Sequence, residues 1–227
     1  MGNWRRQFFH TRTSVTSTWK FRVVTVIVLI LMPTMTRGFW APRLAGSLVC
    51  TGAPLPSDIM LVENFDSKYL VFERAAELEK MGFAPRALVP VPASNDPAIA
   101  NPVFKGIAEL MARQARMGTW EILPIQETEP ISLNVAYQIR DQLAREHIRS
   151  MLIVTPGFRS RRTSLVYQSV LRDVGTQVSC VPVFGRADPE HWTDTWHSIQ
   201  DVTQEFLKLQ YYRFYVMPFL FRGIGPG

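Results

Sequence analysis

From Asp58 onward the hydrophobic period of the chain switches repeatedly between short apolar runs and stretches with apolar residues three and four apart. Residues 59–62 form an apolar run ending at Glu63-Asn64, and the helical pattern over 67–81 stops at Gly82, a C-cap glycine. A second strand is predicted over 86–91. A polar, proline-containing loop over 94–102 then leads to a helix over 103–117, closed by Gly118. Residues 120–125 predict a third strand, 131–146 a helix, 151–155 a fourth strand and 159–173 a further helix. A fifth strand is expected over 178–183 and a long helical stretch over 188–216, with no internal repeat. Strands alternating with helices of this length predict an α/β domain over 58–216, a mainly parallel sheet with helices on both faces.

Upstream the pattern is different. Residues 23–32 read VVTVIVLILM, and the uncharged stretch between Arg22 and Arg37 falls short of the ~20 residues of a full membrane span. Trp19 and Phe21 extend it on one side and residues 38–41 on the other, with Arg22 and Arg37 snorkelling to the interfaces beside Trp19 and Trp40. A retained anchor, a cleaved signal peptide and an organelle transit peptide all share these features. No small-x-small cleavage site follows the apolar run, which favours a retained transmembrane helix over 21–37. Arg6 stands where a myristoylation motif needs Ser or Thr. The reading is a cytoplasmic basic segment over 1–20, the anchor, a linker over 38–57, the α/β domain outside the cytoplasm, and a tail over 217–227. Five basic residues before the span against two shortly after it set this orientation.

Charge supports the division. The net charge is +6, but no Asp or Glu precedes Asp58, whereas seven of the 25 Lys and Arg do. The rest of the chain is close to neutral, so no nucleic-acid partner is expected. Two cysteines make no disulfide framework: Cys180 reads as a buried thiol in a strand, and Val49 before Cys50 argues against lipid modification.

In a parallel sheet, ligands sit beyond the carboxyl ends of the strands. Glu63-Asn64, Gln126-Glu127-Thr128, the run Thr155-Pro156-Gly157-Phe158-Arg159, and Gly185-Arg186 fall there. Arg159, Arg161 and Arg162 crowd the start of a helix, where the dipole is already positive. Arg161 reads as solvated. Arg159 and Arg162, with N–H groups of the Thr-Pro-Gly turn, read as an anion site. Arg162 is expected to balance Glu127, leaving Arg159 for the anion.

Several stretches together resemble the YdcF-like family, whose envelope members include SanA and ElyC. Residues 54–62 are similar to its first strand, and 75–86 to its first helix and second strand. Residues 127–135 resemble its glutamate-to-asparagine segment, and 154–162 its strand-loop-helix segment ending in arginine. Residues 39–43 and 205–212 also fit, so the likeness runs collinearly over about 39–215. It implies a Rossmann-like three-layer sandwich, a role in cell-envelope maintenance from a membrane anchor, and a pocket formed by Glu127, Asn134, Thr155 and Arg162. One member binds S-adenosylmethionine, which makes that cofactor a candidate by resemblance alone. The chain departs from the family at Glu63-Asn64 (a Gly-Gly turn there), at Arg159 (histidine there) and at Pro130-Ile131. Guanidinium cannot shuttle protons as imidazole does, so acid/base work at position 159 is lost.

Elsewhere the chemistry is plain. His191 and His197 are six apart and do not share a helix face as metal ligands would. Trp192 and Trp196 read as packing residues, Asp188 and Glu190 as helix caps, and the aromatic tail as packed on the domain or resting on a membrane surface. No Walker, G-x-S-x-G, H-E-x-x-H or C-x-x-C pattern occurs, and no catalytic residue is assigned. Two functions follow: a tethered domain binding a small anionic or nucleotide-like ligand at Glu63, Asn64, Glu127, Asn134, Thr155, Arg159 and Arg162, or a non-catalytic interaction protein of the envelope.

Overall fold

A computed structural model describes residues 18–64 and 68–220. Most of the basic segment expected over 1–20, the start of the helix expected at Ser67 and the end of the tail lie outside the described residues. The chain divides into two compact units, Met1–Trp40 and Ala41–Gly227.

In the first unit, helix α1 (Trp19–Met35) is capped by the Thr18 hydroxyl and buries none of its residues. Its threonine side chains bond back to the helix: Thr25 and Thr34 donate to the carbonyls of Phe21 (2.8 Å) and Ile30 (3.1 Å), and Thr36, just beyond, to Met32 (2.7 Å). No single described helix is long and apolar enough to cross a membrane. As a bent pair, α1 and α2 (Arg37–Gly46) meet that test by length and composition.

The second unit is built on five parallel strands: β1 (Ile59–Val62), β2 (Ala87–Pro92), β3 (Trp120–Ile125), β4 (Ser150–Pro156) and β5 (Gln177–Val183), in the order β3-β2-β1-β4-β5. This is the α/β sheet of a Rossmann-like fold. Alternation along β1 feeds two cores: Ile59 and Leu61 face one, Met60 and Val62 the other. Helices α3 (Tyr69–Lys80) and α4 (Pro102–Gln114) cover the face bearing Met60 and Val62. Helices α5 (Ile131–Arg145) and α6 (Ser160–Leu171) cover the other. Gly82 follows α3 with φ of 79°, the left-handed stop that the sequence implies. At the amino ends of the strands, the Asp58 carboxylate accepts from the N–H groups of Arg149 and Ser150, both at 2.9 Å, which tie β1 to β4. Those backbone bonds hold its pKa below the ordinary value.

Both outer strands carry proline. Thr119 and Ile125 turn their carbonyls toward β2, so the intervening Pro124 of β3 faces the free edge. By the same parity, the Gln177 N–H points at Arg149, and Pro182 of β5 faces outward.

Three expectations are corrected here. Residues 38–57 are no free linker from Ala41 on: Ala41, Ala45 and Leu48 are buried with Trp192, Val202 and Leu209. Cys50 and Cys180 are joined in a disulfide across 130 positions, so Cys180 is no free thiol. The long C-terminal helix starts at Trp196 rather than Asp188, because Asp188 caps a turn through Glu190 and His191 while Thr195 caps α7 (Trp196–Tyr211) through Ser198. Trp192 packs as expected, donating to the Ala41 carbonyl (2.9 Å), but Trp196 is exposed. Beyond α7 a π-helical turn over Tyr212–Val216 and α8 (Met217–Leu220) return to the core through Tyr212, Val216 and Met217.

Candidate functional site

Strands β1 and β4 are neighbours, yet the chain leaves β1 toward α3 on one face and β4 toward α6 on the other. Their carboxyl ends therefore open a crevice at the topological switch point. Glu63 is the first residue after β1, and its N–H bonds to the Val154 carbonyl at 2.9 Å, so the strand ladder itself aims the side chain inward. The carboxylate is buried and accepts from the hydroxyls of Thr155, at the end of β4, and Thr163, on α6 (3.1 and 3.2 Å). Tyr167, one turn beyond Thr163, is fully buried. Desolvation and the nearby Glu63 charge push its phenol pKa well above the ordinary value. Among the described residues, the Tyr167 hydroxyl and Asn64 Oδ1 are buried with no hydrogen-bond partner.

A second buried carboxylate faces the first. Glu205 of α7 accepts from Arg162 through Nε (3.1 Å) and Nη2 (2.8 Å), and Lys208 lies 3.3 Å from its other oxygen. The remaining Arg162 donor reaches Ser132 at the start of α5 (2.6 Å), and its guanidinium sits 5.4 Å above the Tyr212 ring. Burial alone drives the Glu205 pKa up, but the charges of Arg162 and Arg159 outweigh it and hold the carboxyl below its usual 4.5. Arg159 bridges both acids: Nη1 is 3.9 Å from Glu63 and Nε is 3.6 Å from Glu205.

Arg159 also borders a cavity of about 780 Å³ beyond the ends of β4 and β5. Pro156 to Arg159 and Val183 to Ala187 form one side, and Asp201, Glu205 and Lys208 of α7 another. Gly157 is required where these loops meet, since a Cβ there would lie 2.1 Å from the Phe184 ring. Phe184 in turn packs edge-on against Phe158, with centroids 5.5 Å apart.

Of the residues singled out in the sequence, Glu63, Asn64, Thr155, Arg159 and Arg162 gather around this crevice. Glu127 and Asn134 do not join them. Glu127 follows the outermost strand and is exposed, while Asn134 donates to the Thr128 carbonyl (2.9 Å) and holds its own loop. The carboxylate that Arg162 meets is Glu205, not Glu127, because the first turn of α5 brings Ser132 to the guanidinium while Glu127 stays exposed. At the start of α6 the Arg161 N–H bonds to the Leu48 carbonyl (2.9 Å) and the Ser160 N–H to the Gly157 carbonyl. Arg161 is half-buried and lies 3.4 Å from the Thr51 hydroxyl, so it is no solvated bystander.

Sequence reasoning missed Glu205, Thr163 and Tyr167. Glu205 left a signal: it lies three residues after Val202 and four before Leu209, an acid on the apolar face of a helix. Such an acid requires a buried cation. Comparison with family models and with curated proteins finds no match for this chain.

Proposed function

We infer that the chain is a membrane-anchored, diverged member of the YdcF-like family whose α/β domain binds a small anionic or nucleotide-like ligand outside the cytoplasm, in cell-envelope maintenance. The observation that carries this reading is Arg159, which stands at the wall of the cavity beyond β4 and β5 between two buried carboxylates. With Arg186 and Lys208 on the same cavity, it supplies guanidinium and ammonium donors suited to phosphate or carboxylate. Asp194 and Asp201 add groups of the opposite sign, so a zwitterionic molecule such as S-adenosylmethionine fits the donor set as well as a sugar phosphate. Arg162 is assigned a structural part: its donors are occupied by Glu205 and Ser132. That internal neutralisation also favours the second reading, a non-catalytic interaction protein of the envelope.

The location has separate support. A disulfide between Cys50 and Cys180 persists in oxidising compartments outside the cytoplasm. The exposed apolar residues of α1, with its threonines bonded back to their own helix, suit a lipid environment.

The test uses the full chain in mild detergent, with thermal unfolding followed against inorganic phosphate, nucleotides, S-adenosylmethionine and lipid-linked sugar phosphates. One of these is expected to raise the melting temperature, by the equivalent of ~2.7 kcal/mol at a hundredfold excess over Kd. The rise is expected to disappear in Arg159→Ala. If none shifts the transition, or the shift survives both Arg159→Ala and Arg186→Ala, the ligand reading fails and the interaction protein remains.

A further inference from the structure

The C-terminal part of α7 and the π-helical turn present one exposed apolar face. Leu207, Tyr211, Phe214 and Tyr215 recur at i, i+4, i+7 and i+8 and are 62%, 47%, 72% and 57% exposed. On the opposite side Val202, Leu209, Tyr212 and Val216 are buried. Tyr211 and Tyr215 stack with centroids 5.3 Å apart, so the exposed rings form a contiguous patch rather than scattered side chains.

Charge indicates what covers this patch. From Phe206 to Gly227 the sequence contains Lys208, Arg213 and Arg222 and no acidic residue. Amphipathic rings beside cations match an anionic lipid headgroup layer, where the rings reach the acyl boundary and the guanidinium stays among phosphates. Chain length agrees, on the proposed reading that residues 21–37 are the anchor. The Ala41 side chain is buried against Val202 and Leu209 of α7, and its carbonyl is held by Trp192. Four residue steps separate it from Arg37, a reach of at most ~14 Å. Chain connectivity therefore limits how far the end of the anchor can be from a residue that packs against α7.

We propose that the face formed by Leu207, Tyr211, Phe214 and Tyr215 lies in the interfacial layer of the membrane, with Arg213 against anionic headgroups. The full chain is reconstituted in vesicles of phosphatidylethanolamine and phosphatidylglycerol containing a spin-labelled quencher lipid. A fluorophore is attached in turn to Phe214→Cys, Leu110→Cys and Val28→Cys. All three sites are exposed, and the native cysteines are already paired. The label at 214 is expected to be quenched at least about twofold more than that at 110, and less after Arg213→Gln, as expected for interfacial binding. The label at 28 reports on the anchor alone. Quenching at 28 but no more at 214 than at 110 overturns the proposal and leaves the anchor standing. Quenching at 214 without quenching at 28 supports the face and removes the anchor. No quenching at either site refutes both. A label at 214 shielded from both lipid quencher and aqueous iodide overturns the proposal in favour of a second copy of the chain or another protein.

Discussion

Replacing Cys50 and Cys180 together by alanine removes a cross-link between residues 130 positions apart. In the loop-closure description, opening a loop of that size returns ~17 cal/mol/K of entropy to the unfolded chain, about 5 kcal/mol at room temperature. The folded side loses less, because the segment remains attached by other means. Ala41, Ala45 and Leu48 stay buried, the Leu48 carbonyl keeps the Arg161 N–H, and the Cys50 N–H keeps the Ser160 hydroxyl at 2.9 Å. The variant should therefore fold to the same structure with its stability lowered by ~3–5 kcal/mol. With a urea dependence of ~2 kcal/mol/M, that is a drop of roughly 2 M in midpoint. The assay is urea unfolding of the full chain in detergent, with and without reductant, for the native protein and the double variant. Reductant should move the native midpoint to that of the variant and leave the variant unchanged. A native midpoint insensitive to reductant, or two thiols that react with maleimide before any reductant is added, would refute the reasoning.

Other consequences follow from the buried charges and the tight loop. Arg162→Ala leaves Glu205 with only Lys208 and Arg159 beside it and should cost ~3 kcal/mol, while Arg162→Lys should recover only part because it lacks the planar fork; equal stability of all three proteins would sink the buried-pair reading. The folded pKa of Glu205 lies below its usual 4.5, so its stabilising contribution is complete above that pH and is lost as pH falls through the lowered value. The melting temperature should fall below about pH 4.5 less steeply in Glu205→Gln than in the native chain, and identical slopes would exclude the linkage. Gly157→Ala drives a methyl into the Phe184 ring and should cost ~1–3 kcal/mol, most of it restored in Gly157→Ala/Phe184→Ala; additive losses in the double variant would show that the clash is not with that ring.

Strand positions were legible because each strand is a short apolar run between punctuating residues. The predicted first and third strands coincide with Ile59–Val62 and Trp120–Ile125, and the other three differ by a residue at one or both ends. Helix starts were read less well where two caps compete. Asp188 carries a strong capping signal, but its oxygen serves a turn, and the helix waits for Thr195. Glu63, Thr155 and Arg159 were found because strand ends in a parallel sheet converge whatever their sequence separation. The partner of Arg162 was not, since the choice between Glu127 and Glu205 depends on how α7 folds back over α6. The Cys50–Cys180 bond escaped for a related reason: no local pattern tells that the chain before β1 lies beside the last strand.

The prolines at the two rims of the sheet bear on how copies of this domain meet. An exposed parallel strand is a template that a neighbouring chain can extend by backbone pairing, a hazard that grows when proteins are concentrated on a surface. Pro124 and Pro182 each interrupt the outward row of donors near the carboxyl end of its rim, so a strand docking there finds a missing N–H and a ring in its way. Self-association by sheet extension is thereby blocked at both rims, and crowded copies are left to meet through side chains on their helical layers.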